Sequence, residues 1–278
     1  MITQREMSAL AIQFIDDPED SRVASYRDIR ERDLTGREGL FVAEGEVVLR
    51  TLLSPASLCA PRSLLMAASR LEAQAELIAQ APADVPIYAA AQPVLDRIAG
   101  FPLHRGLLGL GAKPAPRSVE AVLAELPETC VVLACSGIGN HDNMGGLFRN
   151  AAAFGAAAVL RDDRCCDPFY RKAIRVSVGA VLRTPSAQAA SLGALIDTLI
   201  EARFEIIALS PGADEPLVSV RRGSRQAILV GSEGPGLPPD ILRRLRTVGI
   251  PMAGGFDSLN VAVSSALALY QLQAVSIR

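Results

Sequence analysis

The sequence predicts an α/β protein in two modules, the second built on a mostly parallel sheet with helices on both faces. Three observations predict this. Short apolar runs alternate with longer amphipathic segments along most of the chain, the order of strands and crossover helices. Several of these runs are apolar at every position, as strands buried on both faces must be. Finally, GAKPAPRS, from Gly111 to Ser118, puts two prolines, a glycine and a serine between periodic segments and divides the alternation in two. A length of 278 residues exceeds one usual domain, and a half-hydrophobic composition can fill two cores. The expected modules are residues 1–112 and 113–278.

In chain order, residues 1 to about 32 read as a polar, charged arm. GLFVAEGEVVLRTLL then reads as strand, turn and helix, with Val47, Val48 and Leu52 near one face. Residues Ser63 to Gln80, rich in Ala, Leu and Glu, suggest a helix. VPIYAA suggests a strand, and QPVLDRIAG a helix stopped by Gly100. After the linker, TCVVLAC is a buried strand and NMGGLFRNAAAFG a helix ending at Gly155. AAAVL is a strand, DPFYRKAIRVSVG a loop and helix, and SLGALIDTLIEAR an amphipathic helix. FEIIAL and QAILVG are strands, PPDILRRLR a helix with proline near its start, VGIPM a short strand, and SLNVAVSSALALYQLQ the last helix.

Composition narrows the function. MITQREMSAL lacks the apolar run of a signal peptide, and glycine, proline or charge interrupts the long apolar stretches, so neither a leader nor a membrane span is expected. The nearest candidate, Leu259 to Val275, carries Asn260, Ser264, Ser265 and Gln271 and fits a buried helix better. Five cysteines without a CxxC pair, and His104 and His141 far apart, argue against zinc and for free thiols in a reducing compartment. The net charge of −2 does not announce nucleic acid. Its distribution is more informative: the cations are arginines apart from Lys113 and Lys172, clustered at Arg161, Arg164, Arg171 and Arg175, at Arg221, Arg222 and Arg225, and at Arg243, Arg244 and Arg246. Taken one at a time these clusters read first as solvated faces, and they are compatible with phosphate, which the guanidinium fork grips in a bidentate manner.

Three segments of the second half follow apolar runs with glycine and small polar residues, at the strand ends where open α/β sheets bind ligands. GIGNHDNMGGLFRNAAAFG carries Asn140, His141, Asp142 and Asn143 in a loop and Arg149 on the following helix, with Asn143 and Arg149 read as roughly on one side. LVGSEGPGLPPD places Glu233 among Gly231, Gly234 and Gly236, which permit close backbone approach. IPMAGGFDSLNVAVSSALALYQL puts a flexible turn at Gly254 and Gly255 before Asp257 or Ser258 as helix cap, with Asn260 in the first turn. Neither GxGxxG opening a helix nor the GK[ST] of a P-loop is present, so dinucleotide and NTP sites are disfavoured.

Taken singly, each segment could be an ordinary cap or turn. Together, NxGxxxRNAAAFGA, VGSEGPGL and IPMxGxxDSLNV, in this order, resemble the three signature motifs of the SpoU (TrmH-like) family of SPOUT methyltransferases. DPFYRKAIRVSVGA extends the likeness between the first two motifs. GLFVAEGEVVLRTLL and LHRGLLGL are similar, more loosely, to the small L30e-like domain that precedes many members. The likeness covers about half the chain strongly.

The resemblance implies a sheet whose C-terminal segment threads a loop as a trefoil knot, an arrangement otherwise nearly absent from proteins. It implies S-adenosylmethionine held through backbone groups at Gly231, Ile250 and Leu259, with Met252 and the Leu209–Pro211 loop nearby. Its polar signature falls on Asn143, Arg149, Glu233, Ser258 and Asn260. An arginine does not readily give up a proton, so Arg149 is expected to orient a ribose 2′-hydroxyl and stabilise the developing alkoxide while an RNA phosphate or solvent takes the proton. Asn143, Ser258 and Asn260 would hold the hydroxyl and Arg149, and Glu233 would order the cofactor loop or pair with Arg149. Many members have serine where Ala262 stands, which removes one secondary hydrogen bond. The resemblance further implies a cytoplasmic homodimer that uses no metal and acts on RNA, rRNA ahead of tRNA. The N-terminal module would be the reader, with Arg22, Arg27, Arg30, Arg32 and Arg37 either contacting RNA or forming a solvated arm. The competing reading is an RNA-binding assembly protein that keeps the fold without catalysis; a Rossmann-type nucleotide enzyme is the less supported rival.

Overall fold

The computed structural model describes residues 12–27, 36, 38–103, 106–254 and 257–272. Met1 to Leu10, Arg30, Arg32, Arg37, His104 and Gly255 therefore lie outside the described residues. The chain forms two compact units, Met1–Pro114 with Phe169–Arg183, and Ala115–Pro168 with Thr184–Arg278. Among the described residues no helix is long and apolar enough to cross a membrane.

The first unit is built on a mixed five-stranded sheet of order β1-β4-β3-β5-β2: β1 (Ile12–Ile15), β2 (Leu40–Glu44), β3 (Ala60–Ala67), β4 (Ile87–Ala90) and β5 (Leu107–Ala112). β1, β4 and β3 run parallel, whereas β5 is antiparallel to both its neighbours. α1 (Glu46–Leu53) buries Val48, Leu49 and Leu52, so Leu49 takes the place expected for Val47, which is exposed. α2 (Ala75–Ile78) is a single turn, and α3 (Gln92–Ala99) ends at Gly100 in the left-handed conformation.

Two expectations are corrected here. The helix read over Ser63 to Gln80 is instead strand β3 running to Ala67, followed by α2. SLLMA is buried at every position between β4 and β5, and a short apolar run of this kind does not distinguish strand from helix by periodicity. The polar arm also contains structure. β1 joins the sheet, and Tyr26, fully buried, donates its hydroxyl to the Ser63 carbonyl at 2.9 Å and accepts from the Leu110 N–H at 3.1 Å. Arg22 is bound to Asp20, and Arg27 pairs with Glu19, so both guanidiniums are engaged locally.

The second unit carries a six-stranded, wholly parallel sheet of order β11-β9-β10-β6-β7-β8. α4 (Val119–Ala124) precedes β6 (Cys130–Cys135), and α5 (His141–Phe154) leads to β7 (Val159–Arg161). The chain then contributes Phe169–Arg183 to the first unit, including α6 (Arg171–Val176). There Phe169 stacks on Phe41 at 5.3 Å, Arg171 lies over the Phe101 ring at 4.4 Å, and Arg171 and Arg175 approach the buried Glu44 carboxylate at 3.7 and 3.8 Å. β8 (Ser186–Gln188), α7 (Leu192–Glu201), β9 (Glu205–Leu209), β10 (Arg225–Val230), α8 (Pro239–Leu242), β11 (Arg246–Val248) and α9 (Val261–Gln271) complete the second unit. α8 is one turn, shorter than PPDILRRLR suggested, and β11 precedes the expected VGIPM strand. The sheet grows outward from β6 through β7 to β8, then returns to the other side of β6. β6 and β10 flank this reversal.

Candidate active site

β10 is buried to its last residue, and its extended chain ends in GSEGPG. The turn closes when the Gly236 N–H donates to the Ser232 carbonyl at 3.1 Å, with Gly234 and Gly236 at positive φ. Gly231 is required for a different reason. A Cβ there would lie 2.6 Å from the Gly236 carbonyl carbon and the Leu237 nitrogen, inside backbone that cannot yield as a side chain could.

Against this turn lies a cavity of about 530 Å³, walled by the loops that follow β9, β10 and β11 and by the start of α9. Leu209, Gly231, Ile250, Met252 and Leu259, the five residues expected around a cofactor, all line it, as do Glu233, Ser258 and Asn260. A wall made by a side-chain-free residue presents backbone N–H and C=O groups directly, which suits recognition of a purine and ribose. Glu233 and Asp257 add carboxylates fit for a cationic sulfonium. The donor set therefore fits S-adenosylmethionine. Among the described residues no group of His, Cys, Asp or Glu could hold a metal ion.

One amide joins the three segments. Asn260 caps α9, its Oδ1 accepting from Ala262 N–H at 2.9 Å and Val263 N–H at 3.3 Å. Its Nδ2 donates to Asn143 Oδ1 at 2.9 Å and Glu233 Oε1 at 3.0 Å. Backbone N–H groups only donate and a carboxylate only accepts, so the amide orientation is set from both ends. This corrects the cap expected at Asp257 or Ser258: both precede the helix, with Ser258 Oγ 3.4 Å from Asp257 Oδ1. Asn140 likewise caps α5, accepting from Asp142 and Asn143 N–H, which places Asn143 in the first turn with its side chain buried.

Arg149 stands apart. It is exposed on α5, does not line the cavity, and makes no hydrogen bond or ion pair among the described residues. Six residues on a helix rotate the side chain by about 120° from Asn143 and move it about 9 Å along the axis, so the two do not share a side. Glu233 pairs with Asn260 in place of Arg149. α5 and α9 meet where Gly146 faces Ala262: a Cβ on Gly146 would lie 2.7 Å from that of Ala262. At Ala262 the hydrogen bonding is carried by neighbours, since Asn150 Nδ2 donates to the Ala262 carbonyl at 2.6 Å and to Ser265 Oγ at 3.0 Å.

Sequence reasoning missed Asp162, which directly follows β7 and is completely buried. It accepts from Ser136 Oγ at 2.7 Å, Gly137 N–H at 3.0 Å and Arg164 N–H at 3.1 Å, and so pins the loop that carries the first segment. Burial pushes its carboxyl up, but hydrogen bonds from Gly137, Ser136 and Cys165 and the charge of Arg164 more than offset this and hold it below the ordinary aspartate range. An acid immediately after an apolar strand, in RDDR, was the available signal. Burial raises the neighbouring thiols, Cys165 to about 12 and Cys166 to about 11, which disfavours their thiolates near neutral pH.

The profile of the SpoU rRNA Methylase family matches residues 130–270. An uncharacterized tRNA/rRNA methyltransferase of Mycobacterium tuberculosis is 38% identical over 272 residues, covering 94% of this chain and 92% of the relative. An AdoMet-bound rRNA methyltransferase from Sinorhizobium meliloti shares the fold at a TM-score of 0.75 and 21% identity, over 94% of this chain and 97% of that one. An RNA 2′-O ribose methyltransferase superposes with a TM-score of 0.73 at 25% identity, over 93% of this chain and 97% of its own.

Proposed function

The chain belongs to the SpoU rRNA methylase family, and from that premise we propose that it transfers a methyl group from S-adenosylmethionine to a ribose 2′-hydroxyl of RNA, rRNA ahead of tRNA. The observation that carries this reading is the Asn260 amide, which holds Asn143, Glu233 and the start of α9 together at the rim of a glycine-walled cavity. Residues 1–112 act as an L30e-like RNA reader and residues 113–278 as the knotted catalytic domain, in a cytoplasmic homodimer. The likeness to solved RNA methyltransferases named for AdoMet and 2′-O ribose supports the choice of donor and acceptor.

When bound, S-adenosylmethionine supplies an electrophilic methyl group on a sulfonium. The chain's own residues orient the acceptor and hold water away. Gly231, Ile250 and Leu259 hold the cofactor through backbone, with Leu209 and Met252 closing the pocket. The Asn143–Asn260–Glu233 chain keeps the three loops in register, and Ser258 reaches the hydroxyl. Arg149 grips ribose or phosphate and stabilises the alkoxide. It is exposed and does not line this chain's own cavity, which suits a guanidinium delivered to the site of a second copy. The exposed apolar residues Val263, Leu267 and Tyr270, at helical spacing along α9, with exposed Leu259 just ahead of the helix, supply a face for that copy.

Calorimetry with S-adenosylmethionine, together with mapping of 2′-O-methyl sites in RNA from a deletion strain, tests the reading. We expect binding and at least one lost site. A folded dimer that binds no donor would favour the non-catalytic assembly protein. Arg149→Lys should bind donor normally and lose methylation, because lysine lacks the planar fork; full activity would remove Arg149 from its role.

A further inference from the structure

The arginine cluster at 161–175 is divided by the fold. Arg171 and Arg175 belong to the first unit. Arg161 is largely buried, and desolvation works against its charge. Arg164 is different: its side chain is 60% exposed, yet one edge is pinned. Nη2 donates to Ser136 Oγ at 3.1 Å, and Nε lies 3.5 Å from Asp162 Oδ2. Asp162 is fully buried and also bound by Ser136, Gly137 and the Arg164 backbone, so the anchor is held on several sides.

The anchor aims the guanidinium at the cavity rim. A Cβ placed on Gly137 would lie 4.0 Å from Arg164 Nη2 and 3.4 Å from the Cβ of Ser232, a residue of the cavity wall. The guanidinium and the wall therefore flank the same glycine. A guanidinium has five N–H donors, and the contacts to Ser136 and Asp162 engage Nη2 and Nε of a side chain that is otherwise mostly exposed. Arg164 itself does not line the cavity, so a ligand filling the cavity stays beyond it. What meets Arg164 is a ligand that continues past the rim and carries charge-matched acceptors, as a phosphodiester chain does. A pinned arginine also loses less side-chain freedom on binding than a free one.

We propose that Arg164 binds a backbone phosphate of the RNA substrate at the rim of the methyl-transfer cavity, and that Asp162 is the positioning residue that aims it. This rests on the methyltransferase reading. The test uses the full-length protein and total RNA from the deletion strain, with filter binding across a salt series, methylation kinetics, and calorimetry with S-adenosylmethionine. Arg164→Ala should raise KM for RNA by about tenfold with kcat and donor affinity nearly unchanged, and should lower the salt slope of RNA binding by about one. Arg164→Lys, which keeps the charge, should retain most of the slope. An unchanged KM and slope in a folded Arg164→Ala protein would overturn the proposal. So would a loss of donor affinity matching the loss of activity, which would make Arg164 a brace for the loop. If the wild-type protein neither binds donor nor methylates the RNA, the methyltransferase reading fails instead.

Discussion

Replacing Gly231 by alanine tests whether the tight turn that walls the cavity is needed for the proposed cofactor binding. The added Cβ would meet the Gly236 carbonyl carbon and Leu237 nitrogen at 2.6 Å and the Gly236 oxygen at 2.9 Å. Ordinary contact begins near about 3.5 Å, so the turn must retreat by about 1 Å. It cannot do so freely, because Gly236 N–H is bonded to Ser232 and the buried Leu237 anchors the far side. Overpacking of this kind costs about 1–3 kcal/mol. A displacement of about 1 Å in a binding loop can weaken function up to a hundredfold. We expect Gly231→Ala to lower the unfolding free energy by about 1–3 kcal/mol and to raise the Kd for S-adenosylmethionine between about tenfold and a hundredfold. Urea denaturation and calorimetry measure the two. Gly212→Ala is the control: it lies on the loop after β9, where a Cβ meets nothing within 4 Å, and should change neither. If Gly231→Ala bound the donor as tightly as wild type with unaltered stability, the reasoning from close approach would be refuted.

Other expectations follow from the same contacts. Asn260→Asp keeps the cap acceptor but turns the donor to Asn143 and Glu233 into a repelling oxygen. Methylation should drop between about tenfold and a hundredfold while the helix stays capped, whereas Asn260→Ala should also lose about 1 kcal/mol of stability in denaturant titrations. Gly146→Ala should destabilise the α5–α9 contact by about 1–3 kcal/mol, and Ala262→Gly in the same chain should recover over half of it; strict additivity in the double-mutant cycle would show that the two do not touch. Asp162, held below its ordinary range in the folded state, contributes stability that is fully present above the unfolded value of 3.8 and is lost as pH falls through its lower folded value. Unfolding followed from pH 6 to pH 2 should show a steep acid limb that Asp162→Asn flattens; equal slopes in both proteins would argue against this assignment.

Much of the second unit was legible because its strands are short, wholly apolar runs bounded by glycine or polar residues. β6, β9 and β10 fall where TCVVLAC, FEIIAL and QAILVG placed them. α5 stops at Gly155 in the left-handed conformation, as its glycine suggested. In the first unit the same rule misled, since SLLMA reads equally well as part of an Ala- and Leu-rich helix until neighbouring strands bury both its faces. The N-terminal segment was read as an arm because charged and apolar residues are mixed along it without a clear period. Two of the latter, Val23 and Tyr26, nonetheless sit wholly in the core, and burial depends on where a few side chains point more than on average composition.

The order of the three segments, their glycines and their polar residues were written in the chain, and with them the chemical class. Local chemistry is enough for this: a glycine after a strand, or an asparagine before a helix, constrains its own few neighbours wherever it occurs. What the chain order could not say is which of these groups touch. Asn260 meets Asn143 across 117 positions and Glu233 across 27. Asp162 reaches back 26 to Ser136, and Arg149 is exposed and takes no part in lining the cavity. Such contacts follow from strand order and from the direction in which each side chain leaves its helix. Both are settled only when the sheet assembles and the buried polar atoms must find partners within hydrogen-bonding distance.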